Sequence, residues 1–98
     1  MSQSNMNDNI QIDLEILGQK IADIRNSGAQ SAFTSDIIRA YMGGYFLNKG
    51  VAANISWNAQ FGKLLSKHRE QLGLEQVRSD ASVNDDLGRP TTCSEWRL

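Results

Sequence analysis

Cysteine, proline and histidine each occur once in these 98 residues, and no uninterrupted apolar run is longer than four. A lone cysteine forms no internal disulfide, which excludes a small extracellular scaffold held by bridges. One histidine and one cysteine leave no zinc site of the usual kind. Runs this short do not cross a bilayer, for which about 20 consecutive apolar residues are needed. The opening Met1-Ser2-Gln3-Ser4-Asn5 has neither the basic patch nor the greasy segment of a secretory signal. The expectation is therefore a cytoplasmic protein with no membrane partner.

What is present is the composition of an ordinary globular domain, 40% hydrophobic and 21% charged. A chain of this length is a single domain by the usual measure. The net charge of −1 conceals a partition. Residues 1–36 carry five acids and two bases, a net −3. Residues 37–69 carry no acid and five bases: Arg39, Lys49, Lys63, Lys67 and Arg69. Residues 70–98 carry six acids and three bases, again −3. Such blocks matter because binding responds to potential within about 8 Å, the Debye length at physiological salt.

Along the chain, residues 1–9 are rich in Ser, Asn and Gln without periodicity and read as a flexible tail, leaving 10–98 as the domain. Ile10, Leu14, Leu17, Ile21 and Ile24 recur at helical spacing, with Asp8 or Asn9 as the cap and Asn26-Ser27-Gly28 as the stop. Gly18 inside that helix suggests a close approach by another element. Phe33 is the centre of a short strand, and Thr34 or Ser35 caps a second helix. Its apolar side is Ile37, Ile38, Tyr41 and Met42, and Gly43-Gly44 ends it. A third helix is capped by Asn54 or Ser56. Trp57, Phe61, Leu64, Leu65, His68 and Leu72 lie within about 100° of one another on its wheel, and Gly73 closes it. Beyond Gly73 the period changes. Val77, Ser79, Ala81 and Val83 alternate with polar neighbours, residues 84–88 form a turn, and Thr92, Ser94, Trp96 and Leu98 share one face of a returning strand. Pro90 is tolerable at that strand's start.

Helix, short strand, helix, helix, strand, turn, strand in about 90 residues resembles the winged helix-turn-helix family. Phe33 matches the first strand, residues 35–42 the second helix, 56–72 the third and 75–98 the wing. The match is one of architecture over nearly the whole chain, and the link at residues 43–55 is longer than in the simplest members. The fold class expected is α+β, three helices with a C-terminal β-hairpin wing.

The resemblance implies a third helix in the major groove of double-stranded DNA. On the wheel, the side opposite the apolar stripe presents Ser56, Ala59, Gln60, Lys63, Ser66 and Lys67. Small residues let a helix sit deep in a groove about 12 Å wide, and Gln pairs bidentately with adenine. Lys63 and Lys67, one turn apart, suit phosphates, with Asn58 and Arg69 on the flank. Arg39, Lys49 and the wing's Arg89 add phosphate contacts. A bland reading stands beside each: lysines on a solvated face, a surface glutamine, and Trp57 and Phe61 as core rather than base-stacking platforms.

Catalysis is not expected. His68 lies on the apolar face, Cys93 has no activating base in the sequence, Asp85 and Asp86 are adjacent turn residues that point apart, and Gly43-Gly44 lacks phosphate-loop spacing. No metal, cofactor or small-molecule substrate is called for. The reading is a DNA-binding transcriptional regulator or mobile-element accessory factor of bacterial or phage type, dimerising through its hairpin. The alternative is a protein-interaction module using the acidic hairpin or the Tyr41/Tyr45/Phe46 cluster. A nucleic-acid mimic is disfavoured by a net charge so near zero.

Overall fold

Helix α1, Leu14–Asn26, starts where Asp13 can cap it: the Asp13 Oδ1 accepts hydrogen bonds from the Glu15 and Ile16 N–H groups at 3.0 and 3.2 Å. The computed structural model describes residues 10–47 and 56–98. The helix therefore begins later than its hydrophobic period suggests. Ile10 and Ile12 still pack on the core, but from the segment that precedes the cap. The Tyr41 hydroxyl ties that segment down by accepting from the Asp13 N–H at 3.0 Å. Gly28, at φ +100°, takes the left-handed conformation that ends α1. Gly18 has open space where a Cβ would stand, so the expected close approach does not occur.

Strand β1, Ser31–Phe33, leads directly into α2, Thr34–Met42. The cap of α2 differs from expectation. Thr34 and Ser35 lie inside the helix and are buried, and the Asp36 Oδ2 reaches back to accept from the Phe33 N–H at 3.0 Å. Ile37 and Ile38 face the core, Tyr41 is half-buried, and Met42 is 57% exposed rather than part of the apolar side. Gly43, at φ +89°, closes the helix.

The expected third helix is two. Helix α3, Trp57–Lys67, is capped by Ser56, whose side chain accepts from the Ala59 N–H at 3.1 Å. His68, at φ −107° and ψ 20°, interrupts the helical path, and α4, Arg69–Leu72, completes the stretch. Gly73, at φ +72°, ends α4 in the left-handed region. Arg25 of α1 donates to the carbonyls of Leu72 and Gly73 at 3.3 and 3.2 Å, so α1 satisfies the end of α4.

Strands β2, Glu75–Asn84, and β3, Pro90–Arg97, form an antiparallel hairpin, and β1 pairs with the other side of β3, giving the order β1-β3-β2. Among the described residues the fold is thus α+β, with four helices and a three-stranded antiparallel sheet. The alternation expected of β2 fails in its first half. Gln76 pairs with Trp96, Arg78 with Glu95 and Ala81 with Cys93, so the register slips twice. Each slip turns following side chains to the other face. Val77 is consequently 49% exposed while Ala81 is buried.

The core joins Leu17 and Ile21 of α1, Ile37 and Ile38 of α2, Phe61, Leu64 and Leu65 of α3, Leu72 of α4 and Trp96 of β3. Trp57 stacks on Phe61 with centroids 5.2 Å apart, as the apolar stripe implied. Thr34 locks the sheet to α2: its Oγ1 donates to the Ser94 carbonyl at 3.1 Å and accepts from the buried Trp96 Nε1 at 2.9 Å.

Candidate nucleic-acid interface

Five cations stand in the acid-free block of the sequence, and the fold divides them. Lys63 and Lys67 are exposed on α3, and Arg69 is exposed at the start of α4. Arg69 also donates to the Ser66 carbonyl at 2.8 Å, which holds its stem along the helix end. Lys49 falls outside the described residues.

Arg39 does not join this group. Its Nε donates to Asp86 Oδ1 at 2.7 Å, its Nη1 to Asp36 Oδ1 at 3.2 Å and its Nη2 to the Asn84 carbonyl at 3.0 Å. A guanidinium held by two carboxylates offers little to a phosphate, so the expected contact is corrected. The blocks were distant in sequence only: an acid from residue 86 neutralises a base from residue 39.

The same clasp corrects the reading of the acidic turn. Asp85 and Asp86 do not point apart. Both reach the segment after α2, where the Asp86 Oδ2 accepts from the Tyr45 N–H and the Asp85 Oδ2 from the Leu47 N–H, each at 3.0 Å. The Asp85 side chain is wholly buried, and it also accepts from the Leu87 and Arg89 N–H groups at 3.0 and 2.8 Å and from Arg89 Nε at 2.7 Å. Burial alone would raise its pKa, but these donors outweigh it and bring the group down to about 2. Asp86 is held below the usual carboxylate range, chiefly by Arg39. Arg89 is therefore bound to Asp85 and is not a free wing cation. Nor is the turn a free acidic surface for a protein partner.

Two further expected contacts change. Gln60 is 8% exposed, so it is not presented to a base edge. The wheel put it opposite the stripe, yet the burial of the helix extends past the stripe onto that side. Asn58 is half-buried and donates through Nδ2 to the Phe46 carbonyl at 2.7 Å, fixing α3 to the preceding segment. Ser56 is the helix cap. Of the aromatic cluster offered for a partner, Tyr45 is buried, Tyr41 is half-buried and Phe46 alone is substantially exposed.

A cleft of about 600 Å³ separates α3 from the face of the hairpin. Ser56, Ala59, Gly62, Lys63 and Ser66 line its helical side, and Ser79, Thr91, Thr92, Cys93 and Ser94 its sheet side. Among the described residues, no aspartate or glutamate lines it. Sequence reasoning missed the sheet side because it treated the third helix alone. The Asp85 clasp had a legible signal, since an Asx residue opening a turn that ends in Gly88 commonly accepts from the backbone two residues on.

Among the described residues, no group of three His, Cys, Asp or Glu side chains is placed to hold a metal ion, and no helix is long and apolar enough to cross a membrane. No protein-family profile, curated protein or solved structure matches this chain.

Proposed function

We propose that this protein is a winged-helix module that binds double-stranded DNA, with α3 as the element that enters the major groove. The order of elements and the β1-β3-β2 sheet support the winged-helix reading. The observation that carries the DNA reading is the solvent side of α3 and α4. Lys63, Lys67 and Arg69 are exposed there, and no carboxylate among the described residues lines the adjoining cleft. The role is that of a transcriptional regulator or a mobile-element accessory factor.

One such module buries little surface on DNA, and a two-fold dimer would supply the missing affinity. The outer edge of β2 is the surface for it, because β2 is the last strand of the sheet. The two register slips lie in the first half of β2, so regular pairing of edges would use residues 81–84.

The deciding experiment is retention on mixed-sequence duplex DNA. Lys63→Glu combined with Lys67→Glu should abolish retention while the far-ultraviolet dichroism stays that of the parent. Unchanged retention in a folded double variant would remove the proposal. The interaction-module alternative loses Asp85 and Asp86 of its acidic hairpin to the clasp, and what supports it is the exposure of Phe46 at 49% and Leu87 at 68%.

A further inference from the structure

Helix α3 and the hairpin face one another without closing, although protein interiors pack at nearly crystalline density. The gap persists because both walls carry short side chains: Ala59, Gly62 and Ser66 on one, Thr92, Cys93 and Ser94 on the other. Its volume, about 600 Å³, falls within the range of roughly 300–1,000 Å³ typical of small-molecule sites. Ile38, Tyr45 and Leu47 contribute an apolar portion of the lining, and Ile38 and Tyr45 are themselves 2% and 3% exposed.

The charge of the lining is one-sided. Among the described residues Lys63 is its one ionised group, and no ion pair joins Lys63 to another described residue. The hydroxyls around it both donate and accept, so they suit a polar edge without selecting a charge. A cation would find no carboxylate among the described lining residues. An anion would find an ammonium at the mouth and apolar surface inside.

We propose that this cleft is a binding site for a small aromatic carboxylate, its ring against the half-buried Leu47 and Ala59 and its carboxylate at Lys63. The proposal goes beyond DNA binding and stands without it. Because Lys63 belongs both to the cleft and to the exposed face of α3, an occupied cleft competes with a duplex for the same ammonium.

Cys93 makes the site measurable. It is the chain's single cysteine, half-buried on the sheet wall, with its Sγ 3.9 Å from the Ser35 Oγ. The test follows alkylation of Cys93 by iodoacetamide, read by mass, in the full chain. The probes are 2-naphthoate and its uncharged analogue 2-naphthamide. At about 5 mM naphthoate the alkylation should slow about tenfold, while naphthamide leaves it unchanged. In Lys63→Gln, which alters an exposed side chain only, the protection by naphthoate should be lost. No slowing by naphthoate, equal slowing by naphthamide, or protection retained in Lys63→Gln would each overturn the proposal. A mobility shift on duplex DNA, run without probe, keeps the two readings separate. Protection without DNA retention leaves the ligand site and removes the DNA proposal, and retention without protection does the reverse.

Discussion

Asp85 shows how a residue that reads as surface charge becomes internal structure. Its carboxylate is buried and receives four donors, three backbone N–H groups and the Arg89 guanidinium. A carboxyl held at about 2 in the folded chain, against about 3.9 when unfolded, contributes stability at pH values above the unfolded value. That contribution is lost as pH falls towards the folded value. Thermal unfolding followed between pH 5 and pH 2 should therefore show a progressive loss of Tm in the parent. In Asp85→Asn the dependence over this window should be flatter, and Tm at neutral pH lower by roughly 10 °C, because an amide cannot accept from all four donors. A pH profile as steep as the parent's would show that other groups govern acid unfolding. Thr34 is the second such residue. Thr34→Val keeps the shape but leaves the buried Trp96 Nε1 without its acceptor, at a cost of about 1–3 kcal/mol. Thr34→Ser should recover most of it in urea titration.

The elements differ in how far the sequence discloses them. The stripe of α3 was legible because Phe61, Leu64 and Leu65 obey the helical period and all three are buried. Phe61 is fully buried between Trp57 and Tyr41, with ring centroids at 5.2 and 6.2 Å. Phe61→Ala should cost about 3–5 kcal/mol in denaturant titration, and a loss below about 1 kcal/mol would mean that α3 is not anchored by this ring. The Gly28, Gly43 and Gly73 stops were legible too, since each takes a positive φ that other residues avoid. What the period could not disclose was set by tertiary contact. The α1 start was moved by a local carboxylate at Asp13. The β2 alternation was broken by slips that only the pairing with β3 reveals. Of the nine interface residues expected on sequence grounds, Lys63, Lys67 and Arg69 are the exposed ones among the described residues. Arg39 and Arg89 were diverted by carboxylates far away in sequence or hidden in a turn. Gln60 was removed by burial that a wheel drawn for one helix cannot show.

At the scale of the whole molecule, ion pairing turns a nearly neutral chain into one with a local cationic surface. Arg39 is paired with Asp36 and Asp86, Arg89 with Asp85, Arg78 with Glu95 and Arg97 with Glu75. These pairs engage four of the six acids of residues 70–98, and two of the arginines they hold, Arg39 and Arg89, are ones expected at DNA on sequence grounds. The net charge of −1 therefore says little about the field above α3, where Lys63, Lys67 and Arg69 lie within the reach of one another's potential. The proposed interface then has a stoichiometry that can be measured. Each phosphate neutralised on duplex DNA contributes roughly −0.9 to the slope of log affinity against log salt. Three cations per protomer give a slope near −2.7 by the same rule, and a two-fold dimer on one site about twice that. Fluorescence anisotropy of a labelled duplex, titrated at several sodium chloride concentrations, measures this slope. Arg39→Gln should leave the slope unaltered, because that guanidinium is engaged by the turn and serves the fold. Lys63→Gln should reduce it by about one unit per protomer. A flat response would remove the phosphate argument. A slope that falls on replacing Arg39 would mean that the clasp opens on DNA and releases its arginine to a phosphate, coupling the hairpin turn to binding.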